Sequence, residues 1–358
     1  MRSTELISFP ETGKINNAFF KELVFPYCGA QRSEVIIGPQ MGVDVSVVQL
    51  PNGLAMAMTS DPLSLIPTLG LRESAWLSVQ LMANDMATTG FAPQYAQLTL
   101  NLPQSLSAED FNTYWKYIHE FCEKLGVAIT GGHTGRFEGL NSTVAGGGTM
   151  ITIAPAEDIL TSKGAQPGDL VVMTKECALV ATSILAMSFP ETVLRFCGET
   201  IHQQAVSLFY ETSAVEAGLV AGELGRQTKA ITAMHDVTEG GVLGASCELA
   251  LASDCGILIN TGNIPVGKPQ REIGKLFSID PMCCIGAGSM LITVKPDYAD
   301  LLISTLQQHS ISSATIGVIT KKESGFQIQK RSETVPLVLP KTDPYWEAFF
   351  NAFRNEWK

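Results

Sequence analysis

The chain has 358 residues, 45% hydrophobic and 16% charged, a globular composition that excludes a disordered or fibrous protein. Its net charge of −11 argues against a general nucleic-acid surface, while leaving room for a local phosphate pocket, and no apolar run is long enough to cross a bilayer. The length exceeds what one core usually serves, so two domains are expected.

The N-terminal stretch MRSTELISFPETGK lacks the apolar core of a signal peptide. Eight cysteines are present, none in a CxxC pair, which points to reduced, mostly buried thiols in a cytoplasmic protein. Residues 33–38 (SEVIIG) read as a short strand. Residues 43–50 and 54–61 read as paired strands joined at Pro51-Asn52-Gly53, because Asn-Gly is a strong turn signal. Apolar spacing predicts a helix over 72–90 and alternation a strand over 94–102. Ser107 then opens a helix with a polar cap, an acidic first turn and Gly126 at its end. Residues 127–132 form a strand ending in glycines, and 143–154 a strand with a glycine-softened middle.

Residues 154–169 collect proline, glycine and charge and read as a linker or connecting loop. Beyond them the alternation resumes: a strand at 169–176, a helix at 177–188, a long helix over 200–224, a strand at 230–236 and a helix from Gly240. Strands at 256–262, 288–294 and 314–320 and a helix at 296–310 follow, and an aromatic amphipathic helix from Tyr345 closes the chain. The fold class is α/β (α+β), with domains at 1–155 and 156–358.

Four acidic residues share one context, a predicted strand or helix end beside glycine: Asp44 after GPQMG, Asp61 in MTSDP, Asp85 in ANDMATTG and Asp236 in AMHDVTEGG. Any one of them has a dull explanation as a cap or turn residue. Four in parallel contexts point instead to oxygen ligands for a hard cation such as Mg2+, which takes a few carboxylates together with substrate phosphates. The pair Asn84-Asp85 raises the question most sharply, since an unpaired carboxylate inside an apolar helix is costly unless water or a cation meets it.

Three glycine runs, TGGHTGR (130–136), EGGVLGA (239–245) and AGGGT (145–149), are candidate turns whose backbone amides approach a phosphate. None is a P-loop or a Rossmann start. His133 and His235 lack a His/Cys cluster, which disfavours zinc. For His133 a structural or phosphate-contacting role is favoured, and for His235 a hydrogen bond behind Asp236. Lys163 and Lys175 can reach a phosphate, with plain surface lysine as the default.

Taken in order, MGVDVSVV, MTSDPL, ANDMATTGFAP, TGGHTG and MHDVTEGGVLGA resemble the AIR synthase-like (PurM-like) ATP-binding superfamily over about Ser33 to Thr320. That superfamily includes aminoimidazole ribonucleotide synthase, selenophosphate synthase, thiamine-monophosphate kinase and the hydrogenase-maturation dehydratase HypE. The resemblance implies ATP in a cleft, Mg2+ on Asp44, Asp61, Asp85 and Asp236, and nucleotide or phosphate contacts from Asn84, Gly131, Gly132 and Thr134. Asp85 and His133 become the candidate catalytic residues. A homodimer formed through the N-terminal strands and a small-molecule or protein-borne acceptor are also implied.

Departures from the family patterns shape the choice of relative. The kinase pattern GGDTT is GGHTG here, and GGHT is similar to selenophosphate synthase. That family's reactive Cys with a nearby Lys has only Cys28 as a candidate, with no lysine beside it. DVTEGG and ANDMATTGFAP look closest to the HypE-like branch, yet no cysteine follows Cys284. The resulting expectation is ATP-dependent phosphoryl transfer to, or activation of, an amide-like or small-molecule acceptor. The alternatives are a small-molecule kinase, a selenophosphate-synthase-like enzyme or a non-catalytic nucleotide-binding maturation partner.

Overall fold

A computed structural model describes residues 9, 10, 12–140, 143–331 and 333–358. Most of the stretch read as lacking a signal-peptide core, Met1–Lys14, lies outside the described residues. After a single turn, α1 (Asn17–Phe19), the first half runs β1 (Val35–Ile37), β2 (Ser46–Gln49), β3 (Leu54–Ser64), α2 (Leu71–Ala87), β4 (Tyr95–Pro103), α3 (Ala108–Lys124), β5 (Ala128–Phe137) and β6 (Val144–Pro155). The second half begins β7 (Leu170–Thr174), α4 (Leu179–Ser188), α5 (Pro190–Cys197), α6 (Glu199–Ser207), α7 (Val215–Thr228), β8 (Ile231–Asp236) and α8 (Gly241–Ala252). It continues with β9 (Gly256–Asn260), α9 (Lys268–Phe277), β10 (Met290–Val294), α10 (Ala299–Gln308), β11 (Ser313–Thr320), β12 (Phe326–Lys330), β13 (Glu333–Pro336) and α11 (Pro344–Arg354).

The first sheet has the order β1-β2-β3-β6-β4-β5, antiparallel except for the parallel pair β4–β5. Alternation decides its faces: Ala55, Ala57 and Thr59 of β3 and Ala96, Leu98 and Leu100 of β4 point inward, while Tyr95, Gln97 and Thr99 are exposed. Helix α3 packs on the inner face through Tyr114, Ile118, Phe121 and Cys122, a helical stripe, and its start is fixed by Ser107 Oγ accepting from the Asp110 amide at 3.0 Å.

The second sheet has the order β13-β12-β9-β11-β7-β10-β8, with β9–β12 its parallel pair. β10 is buried along its whole length, as a strand covered on both faces must be. Met290, Ile292 and Val294 pack with α7 and α10 on one side, and Leu291 packs with α8 on the other. The core around Met290 also contains Met82 and Met86 of α2 and Leu98 of β4, so one continuous apolar core joins the two halves.

Four local expectations change. The helix over 200–224 is broken at residues 208–214 into α6, a short 3-10 turn and α7. Tertiary bonds hold the break open. Lys175 Nζ donates to the carbonyls of Glu211 and Ser213, both at 2.8 Å, and Trp76 Nε1 donates to Thr212 Oγ1 at 2.9 Å. Helices α5 and α9 and the hairpin β12–β13 are elements the sequence patterning does not anticipate. No single helix among the described residues is long and apolar enough to cross a membrane; α4 and α5 together reach the length but meet at 104°, and α4 is largely buried.

Candidate functional site

The four aspartates come from four elements and meet where the two halves join. Asp44 lies on the loop just before β2, Asp61 lies inside β3, which continues to Ser64, Asp85 is near the end of α2, and Asp236 is the last residue of β8. Their charges act on one another: Asp85 feels Asp236, Asp61 and Asp44, and Asp236 feels Asp44 and Asp61. Burial pushes the Asp61 carboxyl up to about 6, against the opposing pull of Lys14. Burial, and then the charge of Asp44, pushes Asp236 up to about 8. Asp85 is pushed well above the usual carboxylate range, first by burial and then by Asp236, Asp61 and Asp44.

Individual contacts orient these groups. Thr59 Oγ1 donates to Asp85 Oδ2 at 2.7 Å. Asp44 Oδ2 accepts from His235 Nδ1 at 2.7 Å and from Ser162 Oγ at 3.1 Å. Asp236 is buried, and its Oδ2 has no hydrogen-bond partner among the described residues. A buried carboxylate oxygen without a donor is a group that a cation satisfies.

Ligand atoms of Asp44, His235 and Asp236 lie within 4.8 Å of one another. The imidazole nevertheless belongs to the frame and not to the ligand set, because both of its nitrogens face carboxylates: Nδ1 faces Asp44, and Nε2 faces Glu248 Oε2 at 3.2 Å. Only the doubly protonated ring donates to both. Burial opposes that charge, but Asp44 and Glu248 outweigh it and hold His235 up at about 10. The remaining donor set is carboxylate oxygen, which fits Mg2+ and other hard cations and not zinc.

Two residues that the sequence patterning passed over complete the site. Glu248 is the one charged residue in α8, and Lys14 arrives from the N-terminal segment to donate from Nζ to Glu248 Oε1 at 2.9 Å and Oε2 at 3.2 Å. Burial opposes ionisation of Glu248, but the bonds from His235 and Lys14 hold it down at about 2. Burial likewise opposes the Lys14 charge, and Glu248, Asp44 and Asp236 raise the ammonium to about 12. A single charge inside an apolar helix was the available signal for Glu248; Lys14 had none, since its partner is 234 residues away.

Other expected site residues stand elsewhere. Asn84 is buried with both ends of its amide engaged: Nδ2 donates to the Thr212 carbonyl at 2.9 Å, and Oδ1 accepts from the Ala214 amide at 2.6 Å. It clamps α2 to the break before α7, so its amide is engaged by backbone and not directed to the carboxylates. Gly131, Gly132, His133 and Thr134 lie inside edge strand β5 and not in a turn. Across the sheet Asp61 pairs with Gly148, Gly148 with Leu98, and Leu98 with Gly132. Three strand spacings put Gly132 about 14 Å from Asp61. His133 pairs with exposed Thr99 on the outer face, so this protomer does not bring it to the carboxylates.

The glycines have packing reasons instead. Gly132 has φ 148°, and a Cβ there would lie 1.8 Å from the Leu98 carbonyl oxygen. The run AGGGT is internal to β6. At EGG the backbone amides are already used, Gly240 donating to Asp343 Oδ2 at 2.8 Å and Gly241 to the Thr238 carbonyl at 3.1 Å. Lys175 is committed to carbonyls, as described above, Lys163 is exposed, and Cys28 is exposed with its thiol donating to the Val24 carbonyl at 3.5 Å.

Comparison with known proteins identifies the family and the fold. The family model described as AIR synthase related protein, N-terminal domain, matches residues 42–154, and its C-terminal-domain counterpart matches 166–329. The chain is similar to selenide, water dikinase of Methanococcus maripaludis, with 29% identity over 315 residues that make up 83% of this chain and 89% of the relative. It is also similar to carbamoyl dehydratase HypE of Rhizobium leguminosarum bv. viciae, with 25% identity over 293 residues, 80% of this chain and 79% of that one. A solved structure of the hydrogenase maturation protein HypE in complex with ATP shares the fold, with a TM-score of 0.67 over 95% of this chain and 99% of that one at 18% identity.

Proposed function

This chain belongs to the AIR synthase-related protein family, and from that premise we propose that it is an ATP-dependent enzyme that phosphorylates or activates an amide-like or other small-molecule or protein-borne acceptor. The observation that carries this reading is the convergence of Asp44, Asp61, Asp85 and Asp236, with one buried Asp236 oxygen left without a partner. Mg2+ held by these residues would neutralise charge developing on the phosphates of ATP. The HypE–ATP complex, a structure of the same fold, supports ATP as the nucleotide.

The chain's own residues have separable tasks. Thr59 fixes Asp85, and His235 with Ser162 fixes Asp44. Lys14, whose side chain is half-exposed, puts a cation at the rim of an acidic pocket, where it meets an anionic phosphate or acceptor. Homodimerisation belongs to the same proposal: the exposed outer face of the first sheet, with Tyr95, Gln97 and Thr99, is the surface we assign to a second copy.

A second reading is phosphorylation of a small anion, as in selenophosphate synthase. It is favoured by the similarity to selenide, water dikinase and by Lys14, which supplies a lysine at the carboxylates where the sequence offered none beside Cys28. Addition of selenide separates the two, since only this second reading expects it to accelerate ATP consumption.

The direct test of the main reading is nucleotide release from Mg·ATP by the wild-type protein and by Asp85→Asn. Loss of a buried charge at the reacting phosphates is expected to cut turnover about 100-fold or more. A variant that turns over ATP at the wild-type rate would remove Asp85 from the mechanism.

A further inference from the structure

The four carboxylates make the cation site, but they do not explain why Glu248 is placed behind them. Asp44 is on a loop, and a loop carboxylate keeps its direction only where something holds it. Its Oδ2 is held by His235 Nδ1 at 2.7 Å and Ser162 Oγ at 3.1 Å, and no hydrogen bond engages its Oδ1 among the described residues. The imidazole is held in turn by Glu248 Oε2, 3.2 Å from Nε2, and Glu248 is gripped by Lys14 at 2.9 and 3.2 Å. The loop itself is pressed against the same turn of α8, where a Cβ on Gly42 would lie 2.3 Å from the Glu248 carbonyl oxygen. A single hydrogen-bonded line, Asp44–His235–Glu248–Lys14, thus ties together the loop, β8, α8 and the N-terminal segment with charges that alternate in sign.

We propose that Glu248 is a positioning residue: acting through His235, it fixes the direction in which Asp44 offers its free oxygen to a divalent cation. The inference rests on the cation reading of the site given above. Without the Glu248 carboxylate the buried Nε2 loses its acceptor, the ring is no longer fixed, and Asp44 loses the donor that aims it. Groups that orient a ligand from behind typically change metal affinity about 10- to 100-fold when removed.

Binding of Mn2+ to the full chain, followed by electron paramagnetic resonance without nucleotide, tests this independently of activity. Glu248→Gln and Glu248→Asp are each expected to weaken Mn2+ binding about tenfold or more. Glu248→Asp keeps the charge and only withdraws the carboxylate by one methylene, so it carries the test alone if Glu248→Gln fails to fold. Glu239→Gln removes one charge but keeps the side-chain oxygen that accepts from the Lys14 amide at 2.8 Å, and it lies outside the Asp44–His235–Glu248 line, so it is expected to bind within about twofold of wild type. Wild-type affinity in Glu248→Asp, or an equal loss in Glu239→Gln, would reduce the effect to bulk charge and overturn the proposal. If the wild type binds Mn2+ and the Glu248 variants bind it equally well, the cation site stands and the positioning role falls. If the wild type itself binds none, both fall together.

Discussion

Asp236→Asn should move stability in opposite directions with and without Mg2+. Ligand atoms of Asp236 and Asp44 lie within 4.8 Å, and two charges at that separation repel by about 3.5 kcal/mol at an effective dielectric near 20. With Asp236 pushed up to about 8, only part of that repulsion is present at pH 8, so its relief is worth about 1–3 kcal/mol. A melting entropy of about 2.1 cal/mol/K per residue over 358 residues converts the gain into a Tm rise of about 1–4 °C for the metal-free variant. Wild type in Mg2+ at 100 times Kd gains about 2.7 kcal/mol, or about 3–4 °C, and a variant whose affinity falls 100-fold retains less than about 1 °C of that shift. Scanning calorimetry at pH 8, in chelator and in Mg2+, reads both numbers. A variant that melts below wild type in chelator and still shows the full Mg2+ shift would refute the carboxylate site.

The other predictions follow from the same geometry. Asn84→Ala leaves the Thr212 carbonyl and Ala214 amide unpaired and should cost about 1–3 kcal/mol for each buried group, while nucleotide affinity of the folded variant stays unchanged; denaturant melts and ATP titration check the two halves. His133→Ala should leave Mg2+ affinity within about twofold, as its strand stands three strand spacings from Asp61, and calorimetric titration of Mg2+ decides it. The carboxyls of Asp61 and Asp236 are raised to about 6 and about 8, so the folded state holds their protons more tightly than the unfolded chain does. Their contribution to metal-free stability is therefore full below pH 4 and is lost as pH rises through 6 to 8, while Mg2+, which competes with those protons, should raise Tm more at pH 8 than at pH 5.5. An equal Mg2+ shift at both pH values would contradict that linkage.

The four aspartates were legible because each interrupts an apolar or glycine-rich stretch, and burial of a lone carboxylate demands a reason. Strand alternation in β3 and β4 and the cap of α3 were legible on equally local grounds. What was not legible is set by distant contacts. Glycine looks the same in sequence whether it makes a turn or admits a neighbouring strand, and Gly132 does the second, against the Leu98 carbonyl. The break before α7 depends on side chains from α2 and from Lys175 just after β7, and Asn84 looked like a ligand contact because its backbone partners lie 128 and 130 residues away. Glu248 carried the same signal as Asp85, a charge in an apolar helix, and reading it the same way would have found it.

Isothermal titration of ATP into the full chain, with and without Mg2+, tests the central claim most directly. The account predicts binding that depends on Mg2+ and that Asp236→Asn weakens strongly. ATP binding of equal strength with and without Mg2+, or none under either condition, would contradict it and leave the four carboxylates without the cation they were read to hold.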